Sequence, residues 1–301
     1  MPDRVDEAAG QPSRQGTLYV VATPIGNRDD LSPRARQVLE SVDLVAAEDT
    51  RHSGQFLQAF GIRTPLTALH EHNEADKLGF IIERLQAGAS VALISDAGTP
   101  LISDPGFQLL AQARRAGLRT IAVAGPCAAI AALSVAGLPT DRFVFEGFLP
   151  SKSAARRAHL AQLHAEPRTM VFYEAPHRLV AALQDMLAAF GAERDASISR
   201  ELTKRFETNY YGTLGQLAAR AGEQAELARG ESVIVVAGDP APPAPTMLDS
   251  ERILAVLCEE LPAAQAAKLT AKLTGMKRAE LYQRAVARAR GQRGRGSDGY
   301  E

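Results

Sequence analysis

Short apolar runs alternate with amphipathic stretches through the first half of the chain. The stretches between the runs carry apolar residues at helical spacing, as at Leu78, Ile81 and Leu85. The alternation of strand and helix over residues 17–136 predicts a mostly parallel, doubly wound α/β sheet. The runs that predict its five buried strands are residues 17–22, 44–47, 65–69, 91–94 and 119–124.

The rhythm changes after a linker with glycine and proline at residues 137–141. Fewer helices separate the following strands, which predicts a mixed sheet with antiparallel pairs. A proline-rich spacer at 238–245 precedes three short helices. The predicted strands are 143–148, 169–173, 196–202, 206–212 and 232–237, and the predicted helices after the spacer are 250–261, 263–270 and 277–289.

The linker at 137–141 and the spacer at 238–245 predict two α/β domains followed by a small helical domain. The predicted segments are a disordered arm (1–16), an N-terminal α/β domain (17–137), a second α/β domain (138–241), a basic helical domain (247–290) and a flexible tail (291–301).

Composition narrows the class of protein. The net charge is −1, so any basic surface must be local. Cys127 and Cys258 lie far apart without CxxC partners, which predicts a reduced, cytoplasmic protein without a disulfide framework or zinc site. Residues 1–16 lack the apolar segment of a secretory signal, and no run of eighteen apolar residues predicts a membrane span.

One local basic stretch lies near the end of the chain. Between residues 268 and 295 the only acidic residue is Glu280. This stretch is either a solvated helical face or a module that contacts phosphates, and the one-sided charge favours the second interpretation. Its basic residues are Lys268, Lys272, Lys277, Arg278, Arg284, Arg288, Arg290, Arg293 and Arg295.

Several common chemistries lack their motifs. No GxGxxG follows the first strand, and the chain has no P-loop and no GxSxG. The histidines of His70-Glu71-His72 are more typical of a loop than of a metal site. The turns at 23–27, 95–100 and 125–129 follow the first, fourth and fifth strands, so they predict a cup for a small molecule at one sheet edge.

Six motifs in order extend this prediction. They are VATPIGN (21–27), AAEDTRH (46–52), HEHNE (70–74), SDAGTPLISDPG (95–106), FYEAPHR (172–178) and RELTK (200–204). Together they resemble the ribosomal RNA small-subunit methyltransferase I family, within the tetrapyrrole-methylase group of S-adenosylmethionine enzymes. The resemblance covers residues 17–241, and the tail is similar to that family's C-terminal helical domain.

The resemblance implies a homodimer in which S-adenosylmethionine binds between two α/β domains. It also implies methyl transfer to the ribose 2′-hydroxyl of a cytidine in the decoding region of 16S ribosomal RNA, in the small ribosomal subunit. Cys127 stands where many relatives of the wider group carry Ser or Thr, and a thiol is a weak hydrogen-bond donor. Cys127 is therefore either a weak cofactor contact or a small buried residue at the start of a helix. By motif position, the implied cofactor-binding residues are Pro24, Asp96, Ala97, Thr99, Cys127, Ala128, and Phe172 or Tyr173.

Methyl transfer from a sulfonium requires positioning and no metal. A ribose hydroxyl is a poor nucleophile, so a base or a polarising cation near it should help. We favour an acid among Glu48, Asp49 and Glu201 as the base or ribose-orienting group. For Asp49 a helix N-cap is a strong alternative, and Glu201 with Lys204 could be a surface pair.

Glu74 is a further strand-end candidate. The predicted RNA-contacting residues are Arg51, Arg200, Lys204, Lys272, Lys277 and Arg278.

Two other functions stay open at this point. One is a methyltransferase of the same fold that acts on a tetrapyrrole or another small molecule, for which the basic helices would be superfluous. The other is a non-enzymatic RNA-binding or ribosome-assembly protein, which would be distinguished by its failure to bind S-adenosylmethionine.

Overall fold

The computed structural model describes residues 16–70, 74–224, 226–227, 229–240 and 247–293. The chain divides into two compact units, with the division after Asp239. The predicted arm up to residue 15, most of the spacer, the tail from residue 294 and the Glu71-His72 pair lie outside the described residues. No helix in the described ranges is long and apolar enough to cross a membrane.

The first half of the larger unit forms a parallel five-stranded sheet in the order β3-β2-β4-β1-β5, which confirms the doubly wound prediction. All residues of β2 and β4 are buried, because helices cover both faces. Its elements are β1 (Thr17–Val21), α1 (Pro33–Ser41), β2 (Leu44–Ala47), α2 (Thr50–Ala59), β3 (Leu66–Ala68), α3 (Glu74–Gln86), β4 (Val91–Ile94), α4 (Phe107–Arg115), β5 (Arg119–Val123) and α5 (Ala128–Val135).

The strand order opens a crevice between β1 and β4. Leu39 of α1 packs in the apolar cluster on one face of the sheet, and Leu109 of α4 packs in the cluster on the other face. The chain therefore leaves the two neighbouring strands toward opposite faces. Such a point at the carboxyl edge of a parallel sheet is the usual place for a ligand.

The second half of this unit is a mixed sheet in the order β6-β7-β10-β8-β9, in which only β6 and β7 are parallel. The prediction of antiparallel pairs is confirmed. Val171, Val233 and Val235 pack in one cluster with Ala132 of α5, so α5 contacts the second sheet. The elements are β6 (Phe143–Phe148), α6 (Ser153–Gln162), β7 (Thr169–Glu174), α7 (Leu179–Phe190), β8 (Asp195–Arg200), β9 (Thr208–Thr213), α8 (Leu214–Glu223) and β10 (Ser232–Val236).

The described part of the smaller unit, residues 240 and 247–293, contains three helices, α9 (Met247–Glu260), α10 (Ala263–Thr274) and α11 (Arg278–Arg293). Leu254, Ala266 and Leu281 form part of their shared core. Gly275, at φ 73°, ends α10, and a short turn leads into α11 in the manner of a helix-turn-helix. The last helix, α11, extends to Arg293, and the flexible tail from residue 291 stays a prediction.

The sequence-based start of α4 is also wrong. In the sequence, Asp104 followed by Pro105 predicts an N-cap and a first helical residue, whereas Gly106 holds the N-cap position at φ 116° without a side-chain cap. The Asp104 carboxyl instead interacts with the Ser95 hydroxyl. A Cβ atom at Gly106 would lie 2.9 Å from the Leu93 side chain, so both the backbone conformation and the space require glycine.

Candidate active site

The three predicted strand-end turns contact one another. The Thr23 N–H donates to the Gly98 carbonyl at 2.9 Å, and the Gly98 N–H donates back to the Thr23 carbonyl at 3.0 Å. The Thr99 hydroxyl donates to the Pro126 carbonyl at 2.8 Å. The turns after β1, β4 and β5 therefore form the predicted cup.

The turn after β2 joins the cup through Asp96, whose carboxylate accepts the Asp49 N–H at 3.2 Å. The Asp49 carboxylate in turn accepts the Arg51 N–H at 2.8 Å and is the N-cap of α2. Hydrogen bonds from the backbone and side chain of Arg51 hold the pKa of Asp49 below its usual value. This geometry favours the N-cap role that the sequence left open for Asp49.

A first cavity of about 470 Å³ lies between this cup and the second sheet, and its volume is typical of a small-molecule site. It has apolar walls with carboxylates and hydroxyls among them. The apolar lining includes Ile25, Ile102, Phe148, Leu202 and Val233, and the polar lining includes Glu48, Asp96, Thr99, Asp104, Tyr173, Glu174, Ser199, Lys204, Glu231 and Ser232.

A second cavity, of about 340 Å³, borders the turn after β1 and one face of α2. It is lined by Thr23, Pro24, Ile25, Gly26, Arg28, His52, Gln55, Phe56, Asp96, Ala97, Lys204 and Glu231. Five of these residues also line the first cavity, and we call them the shared wall: Ile25, Asp96, Ala97, Lys204 and Glu231.

Tyr173 connects the second sheet to the start of α5. Its phenolic oxygen accepts the Ala129 N–H at 3.1 Å, and its ring lies edge-on to Phe145 and Phe148 at 4.9 and 5.5 Å between centroids. Burial, followed by the neighbouring Cys127 thiol, raises the pKa of Tyr173. The side chain is therefore a fixed, neutral group at the cavity.

Two buried hydroxyls of the second sheet line the first cavity without a partner among the described residues. Ser199 and Ser232 are 1% and 4% exposed, and within the part of the chain that the structure describes neither hydroxyl has a hydrogen-bond partner. Because buried polar groups normally find a partner, each unpaired hydroxyl in a cavity wall indicates a place for a polar ligand atom.

Lys204 carries a positive charge into the shared wall. Its Nζ lies 3.0 Å from Glu201 Oε1 and 2.9 Å from Glu231 Oε2. Burial acts to raise the pKa of Glu201, but hydrogen bonds from Lys204 and from the Glu231 N–H outweigh it and hold that pKa low. Burial acts to lower the pKa of Lys204, and its two carboxylate partners outweigh burial and raise it.

The turn that carries Lys204 has an unusual backbone. Glu201 and Thr203 adopt positive φ angles of 51° and 64°. Non-glycine residues rarely occupy this region, and such strained positions cluster at functional sites. The turn also packs closely on Gly26 in the turn after β1. A Cβ atom at Gly26 would lie only 2.4 Å from Lys204 Cγ.

The structure brings most of the predicted cofactor-binding residues to the first cavity. Pro24 lines only the second cavity. Phe172 is fully buried in the core on the other face of the second sheet, so Tyr173 is the member of that pair at the cavity. The predicted residues that line the first cavity are Asp96, Ala97, Thr99, Cys127, Ala128, Tyr173, and also Glu48 and Lys204.

The other predicted site residues lie outside both cavity linings. The Arg200 guanidinium donates to the carbonyls of Arg229 and Phe206, so it stabilises the local fold. The buried Glu74 carboxylate accepts the Leu109 N–H at 3.2 Å. Asp49, Arg51 and Glu201 also lie outside the linings, and Lys272, Lys277 and Arg278 are exposed on the smaller unit.

The sequence predicts only part of the site. The spacing of His52, Gln55 and Phe56 places them on one face of α2, a signal that was available in the sequence. The Ser199 and Ser232 hydroxyls and Glu231 gave no such signal, because their positions depend on how the two sheets meet.

Comparison with known proteins defines the class. The family model of tetrapyrrole (corrin/porphyrin) methylases matches residues 17–218, and that of the RsmI C-terminal HTH domain matches residues 245–289. The uroporphyrin-III-C-methyltransferase of Thermus thermophilus aligns with a TM-score of 0.52 and 23% identity, over 74% of this chain and 94% of that chain. Diphthine synthase aligns with a TM-score of 0.54 and 15% identity, over 74% and 90%. The fold is that of the tetrapyrrole methylases.

Curated relatives specify the family further. The ribosomal RNA small subunit methyltransferase I of Pseudomonas aeruginosa is 56% identical over 275 residues, which are 91% of this chain and 98% of that protein. The protein of the same name from Escherichia coli O157:H7 is 50% identical over 272 residues, 90% and 95% respectively. The chain belongs to the ribosomal RNA small subunit methyltransferase I family, as the six motifs predict.

Proposed function

We propose that this protein transfers a methyl group from S-adenosylmethionine to the ribose 2′-hydroxyl of a cytidine in the decoding region of small-subunit ribosomal RNA. The observation that carries this proposal is the first cavity, which the strand-end turns and the second sheet enclose. The names of the relatives support the substrate class.

The residues of the first cavity fit the proposed cofactor. Apolar side chains such as Leu202 and Val233 suit an adenine ring, and the unpaired hydroxyls of Ser199 and Ser232 suit polar atoms of an adenosine. The Asp96 carboxylate suits a cationic group. S-adenosylmethionine, when bound, supplies a methyl group already activated on a positively charged sulfur. We infer that it is held by Asp96, Ala97, Thr99, Cys127, Ala128, Tyr173 and the two serines.

Among the three predicted acids, Glu48 is the best candidate for the general base. It lines the first cavity, whereas Asp49 and Glu201 do not. Hydrogen bonds hold the pKa of Asp49 and that of Glu201 low, which makes each a weaker base. We therefore infer that Glu48 accepts the proton of the ribose hydroxyl.

Lys204 supplies the complementary charge. Its two carboxylate partners keep it protonated in the shared wall, where both cavities meet. A fixed cation beside a hydroxyl stabilises the negative charge that develops as the proton leaves. The rest of the catalytic task is alignment of the reacting atoms, which the tied turns provide.

The helical unit extends the proposed contact with RNA. Lys277 and Arg278 are exposed at the start of α11, the second helix of the helix-turn-helix, and Lys272 is exposed near the end of α10. In such motifs the second helix commonly contacts nucleic acid. We infer phosphate contacts by these residues and by Arg51, whose side chain is 89% exposed.

The assembly is part of the proposal as well. We infer a homodimer that acts in the cytoplasm on the small ribosomal subunit. Phe107 and Ile130, which are 74% and 53% exposed, offer apolar surface that a second copy would cover.

Methyl transfer to small ribosomal subunits tests this function. The full chain is incubated with radiolabelled S-adenosylmethionine and either 30S subunits or naked 16S ribosomal RNA. We expect label at one cytidine, recognised by resistance of the adjacent phosphodiester to alkali. Calorimetric binding of the cofactor without RNA labelling, together with labelling of a tetrapyrrole, would indicate the small-molecule enzyme. Absence of cofactor binding would indicate a non-enzymatic protein.

A further inference from the structure

We infer that the second cavity receives the target nucleoside, turned out of the RNA, with the Phe56 ring beneath the base and Gln55 and His52 at its edge. This inference rests on the proposed function and assigns the acceptor side of that reaction. Three properties of the second cavity support it, namely its position, its chemistry and its size.

The shared wall determines where the target nucleoside must lie relative to the methyl donor. A methyl donor in the first cavity must meet its acceptor where the two spaces adjoin, and the residues common to both are Ile25, Asp96, Ala97, Lys204 and Glu231. The Lys204 ammonium thus lies in the wall that a nucleoside in the second cavity would touch. A ribose placed there is next to the cation that the reaction requires.

The chemistry of the second cavity suits a nucleoside. His52, Gln55 and Phe56 line it from one face of α2. A nucleobase has a flat π-face and an edge of hydrogen-bond donors and acceptors, which match an aromatic ring beside an amide and an imidazole. Phe60 meets Phe56 edge-on at 5.2 Å, which fixes the orientation of the Phe56 ring.

Arg28 adds a contact for the backbone of the RNA. Its exposed side chain lines the second cavity near the turn after β1. A guanidinium matches the geometry of a phosphate, so Arg28 suits the phosphate next to the extruded nucleoside.

The volume favours a single nucleoside. At about 340 Å³ the second cavity lies at the lower end of the range for ligand sites. Enzymes that modify one nucleotide of a structured nucleic acid commonly turn it out of its stack into such a pocket. A tetrapyrrole macrocycle would need a larger and more uniformly apolar space.

Three variants on α2 test this assignment against a matched control. Gln55→Ala and His52→Ala remove exposed polar groups, and Phe56→Leu keeps apolar packing while it removes the ring. Gln58→Ala makes the same change as Gln55→Ala on the same helix at an exposed residue outside both cavities. For each protein, kcat and KM are measured with 30S subunits, and the Kd for S-adenosylmethionine is measured by calorimetry.

We expect kcat/KM to fall by about tenfold or more in Gln55→Ala, His52→Ala and Phe56→Leu, as lost contacts to a substrate edge commonly produce. Gln58→Ala should stay within about twofold of the wild type. The cofactor Kd should stay within about twofold in all four variants, because none of these residues lines the first cavity. Replacement of the target cytidine by uridine should reduce the methylation rate of the wild type more than that of Gln55→Ala. The variant has already lost the contact between the Gln55 amide and the edge of the base.

A readout independent of turnover completes the test. RNA that carries 5-iodocytidine at the target is irradiated with the protein, and the crosslinked peptide is identified by mass spectrometry. We expect a crosslink within residues 50–59. If Phe56→Leu fails to fold, the two surface variants still decide the matter.

The outcomes separate the two proposals. The nucleoside assignment would be overturned if the wild type methylates RNA and the three variants keep the kcat/KM of Gln58→Ala. Crosslinks confined to peptides outside residues 50–59 would overturn it too. Either result would leave the proposed function intact. A wild-type protein that binds the cofactor but methylates no RNA would overturn both.

Discussion

Asn27 and Thr203 are joined by a hydrogen bond although they are 176 residues apart, with the Asn27 N–H donating to the Thr203 hydroxyl at 3.1 Å. The bond connects the turn after β1 to the strained turn of the second sheet that holds Lys204. The position of the Lys204 ammonium is therefore set jointly by both α/β halves.

The packing of Gly26 on Lys204 leads to a first prediction. A methyl group at Gly26 would lie 2.4 Å from Lys204 Cγ, so Gly26→Ala should displace the lysine. We expect methyl transfer to 30S subunits to fall about 10²-fold, the effect of a displacement of roughly 1 Å in a catalytic site. The melting temperature should change little. The control is Gly79→Ala, since nothing lies within 4 Å of a Cβ there. Equal activity of both variants would contradict the role of Lys204.

A second prediction separates Glu48 from its neighbour. Glu48→Gln should lower kcat by about 10²–10⁴-fold, because a general base contributes that much. Asp49→Asn should retain near-normal activity, since asparagine caps a helix as well as aspartate does. Single-turnover methyl transfer at saturating cofactor measures both. A fully active Glu48→Gln enzyme would remove Glu48 from the mechanism.

A third prediction concerns Asp104 and pH. Burial, opposed by a hydrogen bond with Ser95 and aided by the Asp96 charge, raises the pKa of Asp104 above its ordinary 3.8. The folded state therefore favours the protonated carboxyl, and this stability is lost as pH rises through the raised pKa. Asp104→Asn should melt at a higher temperature than the wild type at pH 7, with a difference that shrinks toward about pH 4. Thermal scans across this range check the sign, and a difference that grows on acidification would contradict it.

A fourth prediction tests the helical unit. Neutralising Lys277 and Arg278 together by glutamine should weaken RNA binding and reduce the slope of log K against log salt by about 1.5, since each phosphate contact contributes about 0.7–0.9. Arg252→Gln on α9, also exposed, is the control. Filter binding of 16S ribosomal RNA at several salt concentrations measures the slope. An unchanged slope in the double variant would place the RNA contacts elsewhere.

The sequence predicts the first sheet and its turns well. Buried runs such as residues 91–94 are continuous and apolar, and glycine and proline mark where they end. The start of α4 was predicted wrongly because Asp104, a good N-cap by type, is engaged by Ser95 across the turn. Tertiary contacts of this kind leave no local pattern.

The candidate site was predictable only in part for the same reason. Side chains alternate between the faces of β7, so Phe172 enters the core opposite Ile234 while Tyr173 reaches the cavity. The sequence predicts that one of the two residues contacts the cofactor, but it does not show which side chain lies on the cavity face of the sheet. The hydroxyls of Ser199 and Ser232 can be recognised as cavity-lining groups only from the packing of the second sheet against the strand-end turns.

The shared wall makes the two cavities thermodynamically linked. A ligand that orders Lys204 or Asp96 from one side changes the free energy of binding on the other side, and this coupling must be reciprocal. A single compound that spans both spaces would gain from the high effective concentration of its second half. A covalently joined adenosine and pyrimidine nucleoside is therefore a rational starting point for a bisubstrate inhibitor.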